Sequence, residues 1–193
     1  ALPWLDPPPQ AALREGQGEL KSLGILHQDG RLSPIGQQLT QLGVHPRLGL
    51  LMVEAQRHGC SRLGCDLAAL LSDRDPLSAA EVGCDLGARL EAMQQQKRCR
   101  PLRELSRQLE RQLARLAIPP DEDSQGIDSV QLILTAFPNW LALQRPGQSG
   151  RYRLRQGRGA TLRPGDPLAG SEALAVARLD MGQRDTRIQL ALP

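Results

Sequence analysis

The sequence predicts a multidomain, mainly α chain with a C-terminal β part: a winged-helix unit over residues 10–45, an antiparallel helical bundle over 46–135 and a small antiparallel barrel or sandwich over 136–193. Three observations carry this expectation. Apolar residues recur at helical spacing through most of the chain before Pro138. The period then changes to short alternating runs separated by Pro146-Gly147, Gly157, Gly159 and Pro164-Gly165. Between the first units lies Gln41-Leu42-Gly43-Val44-His45-Pro46-Arg47-Leu48, where glycine closes one helix and proline pushes its predecessor out of the helical region. That stretch reads as a rigid corner between two packed units.

Residues 1–9 form a linker, because Pro3, Pro7, Pro8 and Pro9 remove backbone donors and hold the chain extended. A helix follows from Gln10, carried by Ala12, Leu13, Leu20 and Leu23, weakened by Gly16 and Gly18, and closed at Gly24. Ile25-Leu26 and Arg31-Leu32 are short strands about the turn Gln28-Asp29-Gly30. Ser33-Pro34 starts a second helix, since a hydroxyl caps it and proline at the first helical position wastes no donor. Its apolar face is Ile35, Leu39 and Leu42. Its polar face shows Gln37, Gln38, Thr40 and Gln41 without a single cation, which argues against a DNA-reading helix and for a domain-joining role.

Leu48, Leu51, Met52 and Ala55 mark a helix that ends at His58-Gly59. Cys65 to Leu71 is apolar nearly all round, as expected of a helix central to a bundle, and Asp75-Pro76 stops it. Ser78-Ala79-Ala80-Glu81 is a capping box, expected to open one long helix through Leu86, Leu90 and Met93. After Pro101 the series Leu102, Leu105, Leu109, Leu113 and Leu116 builds the next helix. Residues 117–126 read as a polar, proline-broken surface excursion, and Ser129 to Leu134 as a short helix. Strands are expected around Leu141 and Leu143, Tyr152 and Leu154, Leu162, Leu174 and Val176, and Ile188 and Leu190.

Composition narrows the function classes. With 40% hydrophobic residues in 193 the chain can bury a core, which excludes global disorder. Aromatic residues are 2% (Trp4, Phe137, Trp140 and Tyr152), too few for a platform of stacked rings. The net charge of +3 is small, so only its distribution is informative. No apolar run approaches the ~20 residues a membrane span needs, and no signal peptide opens the sequence, so a cytoplasmic location without membrane contact is expected. The opening segment reads as a linker inside a longer polypeptide. Cys60, Cys65, Cys84 and Cys99 contain no C-x-x-C pair, which points to free thiols rather than to a metal site.

A complete active site is missing. Gln156-Gly157-Arg158-Gly159 lacks phosphate-loop spacing and reads as a turn, and His27, His45 and His58 are scattered. Two basic concentrations remain. Arg103, Arg107, Arg111 and Arg115 fall on every fourth residue, one slowly drifting row beside the leucine seam, with Lys97, Arg98 and Arg100 just before it. Guanidiniums about one helical turn apart, ~6 Å, approximate the phosphate spacing of a single strand. The second concentration comprises Arg145, Arg151, Arg153, Arg155, Arg158 and Arg163, with no acid before Asp166. There Arg151, Arg153 and Arg155 alternate with Tyr152 and Leu154, so three guanidiniums project from one strand face. Each set also has a plain reading as a solvated face paired with carboxylates elsewhere.

In order and spacing the segments Leu2-Pro3-Trp4-Leu5-Asp6-Pro7-Pro8, Asp29-Gly30-Arg31-Leu32-Ser33-Pro34-Ile35-Gly36 and Leu42-Gly43-Val44-His45-Pro46-Arg47-Leu48 resemble the helicase-associated region of HrpB-type DEAH-box helicases. So do Leu70-Leu71-Ser72-Asp73-Arg74-Asp75-Pro76-Leu77, Gly150-Arg151-Tyr152-Arg153-Leu154, Gly157-Arg158-Gly159-Ala160 and Gly165-Asp166-Pro167-Leu168-Ala169-Gly170. Asn139-Trp140 departs from the pattern, where an acidic-basic pair is expected after the proline. The resemblance implies an accessory region whose winged helix is a hub and whose bundle and OB-like unit close a channel over a single strand, RNA being favoured. It implies RecA-like motor domains of the same polypeptide as partners, with ATP and Mg bound there; this chain holds no cofactor and no catalytic residue. The arginines at 103, 107, 111, 115, 151, 153, 155 and 158 become candidate strand contacts. The alternative is a protein-interaction module that docks its basic surfaces on an acidic partner without binding nucleic acid.

Overall fold

The computed structural model describes residues 8–72, 75–121, 126–181 and 186–193. The expected linker segment through Pro7 and the pair Asp73-Arg74 lie outside them. A helical part is followed by a small closed barrel of five strands. No helix among the described residues is long and apolar enough to cross a membrane.

Helix α1 (Gln10–Ser22) buries none of its residues, and only Leu20 and Leu23 pack partly against the core. After Gly24 (φ 69°) the chain turns back on itself, with an isolated antiparallel bridge between Leu26 and Leu32 around Gly30 (φ 85°). The Ser33 hydroxyl donates to the Gly24 carbonyl (2.7 Å) and accepts from the Gly36 N–H (3.1 Å), which starts α2 (Pro34–Thr40) against that bridge. Gly36 is there for closeness: a Cβ would stand 2.2 Å from the Ile25 carbonyl oxygen. The corner is built as expected, with Gly43 at φ 63° and His45 Nδ1 accepting from the Arg47 N–H ahead of α3 (Pro46–Arg57).

Helix α4 (Ser61–Ser72) is buried from Gly64 to Leu70 and crosses α3 closely. An added Cβ at Gly64 would lie 2.4 Å from the Ala55 methyl. Gly64→Ala is therefore expected to lose about 1–2 kcal/mol: overpacking costs ~1–3, and the gain in helix propensity returns less than ~1. Urea unfolding checks it, and a stabilised variant would contradict the close crossing.

The helix expected to run unbroken from Ser78 to Met93 is two helices. Glu81 accepts from the Ser78 N–H (2.9 Å), so the capping box forms, but α5 (Ala79–Val82) stops at Gly83 (φ 57°). Asp85 then caps α6 (Leu86–Gln95) through the Gly87 and Ala88 N–H groups. The barrel causes the break. A Cβ at Gly83 would meet Pro167 Cδ at 2.5 Å, the Cys84 N–H donates to Asp166 (2.9 Å), and Asp85 bridges Ala191.

Helix α7 (Arg100–Ala114) buries Leu102, Leu109 and Leu113 as its leucine spacing predicts. Asp66 of α4, itself buried, accepts from Ser106 of α7, Gln94 of α6 and Arg62, so one carboxylate ties three helices together. The excursion after α7 is pinned rather than loose at Ile118, which is buried and whose carbonyl accepts from Gln56, and at the Asp121 N–H, which donates to Arg57. Helix α8 (Ser129–Ala136) is capped by Asp128 and leads through Phe137 into the barrel.

The barrel strands are β1 (Leu141–Arg145), β2 (Gln148–Leu154), β3 (Gly159–Thr161), β4 (Ala173–Met181) and β5 (Thr186–Leu192), closed in the order β1-β2-β3-β5-β4. All neighbours are antiparallel except β3 and β5, which meet at Thr161 and Arg187. Leu162, expected in a strand, lies just past β3 but keeps its N–H on the Gly150 carbonyl (2.9 Å). Alternation along β4, and a register irregularity where β4 pairs with β5, divide the residues between two cores. Tyr152, Leu154, Leu174, Val176 and Ile188 fill the barrel, while Ala175, Ala177, Leu190 and Leu192 pack outward against the helices. Trp140 touches both.

Candidate nucleic-acid interface

The face of β2 is set by its pleat. Tyr152 and Leu154 point inward and are buried, so Arg151, Arg153 and Arg155 all project into solvent. Inside, the Tyr152 hydroxyl lies within hydrogen-bond distance of the Leu168 (2.9 Å) and Ser171 (3.0 Å) carbonyls, and burial pushes its pKa up, so it stays a neutral donor that fixes the strand. Opposite Arg153 on β1 stands Leu143, which is 53% exposed. None of the ion pairs among the described residues involves these three arginines. Among the described residues no carboxylate neutralises this face. Arg158 lies beyond the turn at Gly157 and lines a cleft against α1.

The α7 row divides. Arg103 donates to the carbonyls of Met93 and Gln96, capping the end of α6, and is half-buried. Arg107, Arg111 and Arg115 remain exposed and outside the ion pairs of the described residues. Their neighbours upstream are neutralised: Arg100 pairs with Glu104 (2.7 Å) and Arg98 with Glu81 (2.6 Å). The hydrogen bond from Arg98, with those from Ser78, holds the Glu81 carboxyl down to about 2. The two arginine sets sit on separate parts of the fold, since α7 packs on α3, α4 and α6 whereas β2 packs on β1, β3 and the turn at Pro167–Gly170.

Sequence reasoning missed two further arginines. Arg47 is only 9% exposed. Its guanidinium donates to Glu19 of α1 and to the Ala136 carbonyl, and its Cζ lies 5.1 Å from the Phe137 ring centre and 5.8 Å from that of Trp140. Arg178 of β4 donates to the Leu71 carbonyl (2.7 Å) at the end of α4. Both line a cleft of 610 Å³ between the corner, α7 and the barrel, together with Phe137 and Trp140. Neither could be read locally: the partners of Arg47 lie 28 and 89 residues away, and that of Arg178 lies 107.

The chain is a helical region followed by a closed five-stranded barrel with exposed basic faces, a combination that several classes of protein share. Comparison with known proteins says which class this is. The chain is 33% identical over 193 residues to the ATP-dependent RNA helicase HrpB of Escherichia coli K12, covering 99% of this chain. It is 37% identical over 81 residues to the ATP-dependent RNA helicase HrpA of the same organism, which covers 39% of this chain and 6% of HrpA. The crystal structure of the E. coli DExH-box NTPase HrpB superposes with a TM-score of 0.78 at 33% identity over 98% of the chain. No protein-family model matches. Over nearly its whole length the chain is similar to one part of an HrpB-type DEAH-box helicase, and it spans 22% of the length of the E. coli HrpB it matches.

Proposed function

We propose that this chain guides a single strand of nucleic acid, RNA in the first place, for a motor that burns ATP elsewhere in the same polypeptide. The observation that carries this reading is the β2 face, where Arg151, Arg153 and Arg155 stand exposed and free of ion pairs among the described residues. Guanidiniums so spaced suit phosphates, which supply affinity without sequence information. Arg107, Arg111, Arg115 and Arg158 extend the contact, while Arg103 acts through the fold by holding the end of α6. In this reading residues 1–9 are a linker, 10–45 a winged-helix unit, 46–135 a ratchet-like bundle and 136–193 an OB-like domain. The five-stranded barrel order supports the last assignment, and the Leu26–Leu32 bridge between α1 and α2 supports the first of the folded units. RecA-like domains would bind ATP and Mg and hydrolyse the nucleotide in the cytoplasm, and the chain by itself would hydrolyse none.

The test is single-stranded RNA binding by the 193-residue chain across a salt series. Reversing Arg151, Arg153 and Arg155 to Glu is expected to weaken binding roughly tenfold or more and to reduce the slope of log affinity on log salt by about 2, as loss of three phosphate contacts to a single strand predicts. An unchanged affinity and slope would remove the β2 face from the interface. A stoichiometric acidic protein partner that resists nuclease, with no RNA affinity, would assign the same face to protein docking.

A further inference from the structure

We propose that the cleft between α1 and the barrel is a nucleobase site, in which one base stacks on Trp140. The cleft, half open to solvent, offers about 640 Å³, within the range of small-ligand sites. One wall is a single face of α1, with Glu15, Gly18 and Ser22 at helical spacing; the others are the turn Asn139-Trp140 and Gln156, beyond the end of β2.

Gly18 weakens the interior of a helix, and no neighbour demands it, because a Cβ there would meet nothing within 4 Å. What its missing side chain leaves is open space in the cleft. Trp140, half-buried, is held in place before any ligand arrives: its ring stacks on Phe137 at 4.9 Å and 22°, with the Arg47 guanidinium 5.8 Å away. A ring fixed in advance loses little freedom on binding. Charge does not select an anion here, since Glu15 and Glu19 offset Arg47 and Arg158. The polar groups instead suit the edge of a base. The side-chain amides of Asn139 and Gln156 each offer donors and an acceptor and are absent from the side-chain hydrogen bonds of the described residues, and the Ser22 hydroxyl, which donates to Glu19, can still accept. A single aromatic wall receives a single base, in keeping with a chain too poor in aromatics for a platform.

The source of the base follows from the path of the chain. The exposed row along β2 continues one residue past the strand to Arg155, and the next residue, Gln156, lines the cleft. A strand held along the arginines would thus present a base at its mouth. That source rests on the strand-guiding role proposed above, whereas the cleft is defined by its own geometry.

The indole N–H resonance of Trp140, assigned with Trp140→Phe, reports occupancy in the 193-residue chain. Titration with adenosine, an uncharged probe, is expected to shift it saturably, with little change at about 0.5 M salt, where phosphate contacts are screened. Gly18→Leu fills the cleft from a position with free space and should weaken that shift roughly tenfold or more. Asn139→Ala, on an exposed turn, should weaken it too, and circular dichroism confirms that both variants fold. The Arg151, Arg153 and Arg155 charge reversal should leave the adenosine shift intact while weakening a short oligoribonucleotide. A shift with adenosine and with the oligoribonucleotide makes the base part of a strand, and a shift with adenosine alone makes the ligand a free nucleoside; either upholds the site. No shift with adenosine, or equal affinity in Gly18→Leu and Asn139→Ala, overturns it. Loss of RNA affinity throughout, with the adenosine shift retained, would sink the strand-guiding role and leave the cleft standing.

Discussion

Arg89→Met is expected to lower stability by about 3–5 kcal/mol, a large part of the ~5–15 a domain has. Arg89 is 2% exposed and every arm of its guanidinium is used. Nε donates to Asp75 (2.6 Å), Nη1 to the Asp85 carbonyl (2.9 Å) and Nη2 to the Gly83 carbonyl (3.0 Å). It therefore holds the break between α5 and α6 in the shape the barrel fits, because Gly83 and Cys84 are the residues that touch Pro167 and Asp166. Methionine fills much of the volume but leaves the half-buried Asp75 carboxylate with only the Leu77 N–H among the described residues and takes one donor each from the Asp85 and Gly83 carbonyls. The melting temperature should fall by roughly 6–20 °C for a chain of this size. Adding Asp75→Asn should restore part of the loss, since a neutral amide tolerates the site and its oxygen can still accept from the Leu77 N–H. A loss under about 1 kcal/mol for Arg89→Met would show that the seam does not depend on this group.

Arg47→Met is expected to cost about 2–4 kcal/mol and to act locally first. Helix α1 buries no residue, so few groups fasten it: Leu20 and Leu23, the chain through Ile25, and the pairing of Glu19 with Arg47. The same guanidinium covers the Ala136 carbonyl at the end of α8 and lies against the Phe137 and Trp140 rings. Without it, the amides of α1 should lose hydrogen-exchange protection while α3, α4 and α7 keep theirs, the mark of a sub-global opening. Glu19→Gln should cost less, because the Glu19 side chain is 45% exposed and recovers water when unpaired. Uniform loss of protection along the chain would instead make Arg47 a determinant of the whole core.

The local punctuation was legible because its physics is local. Ser33-Pro34, Gly43 with His45-Pro46, His58-Gly59 and the Ser78/Glu81 box act within four residues, and each sits where the sequence places it. The alternation of Arg151, Tyr152, Arg153, Leu154 and Arg155 likewise fixes which of them face outward, whatever the strand pairs with. What failed depended on distant partners. The helix from Ser78 looked continuous because nothing near Gly83 announces Pro167, and Arg103 looked equivalent to Arg107 because its spacing does not reveal the carbonyls of Met93 and Gln96. The Asn139-Trp140 departure was visible as an anomaly, but its setting beside Arg47 and α1 was not.

The sequence by itself determined the helix ends, the change of period at Pro138, the outward arginines of β2 and the likeness to HrpB-type helicases, because capping, proline geometry and two-fold pleating involve neighbours along the chain. Only the tertiary structure decided which cations remain free for a ligand, where the helix breaks to seat the barrel, and that Arg47 is buried. Those outcomes turn on hydrogen-bond acceptors and steric contacts tens of residues away, which chain order brings together only once two cores have packed on each other.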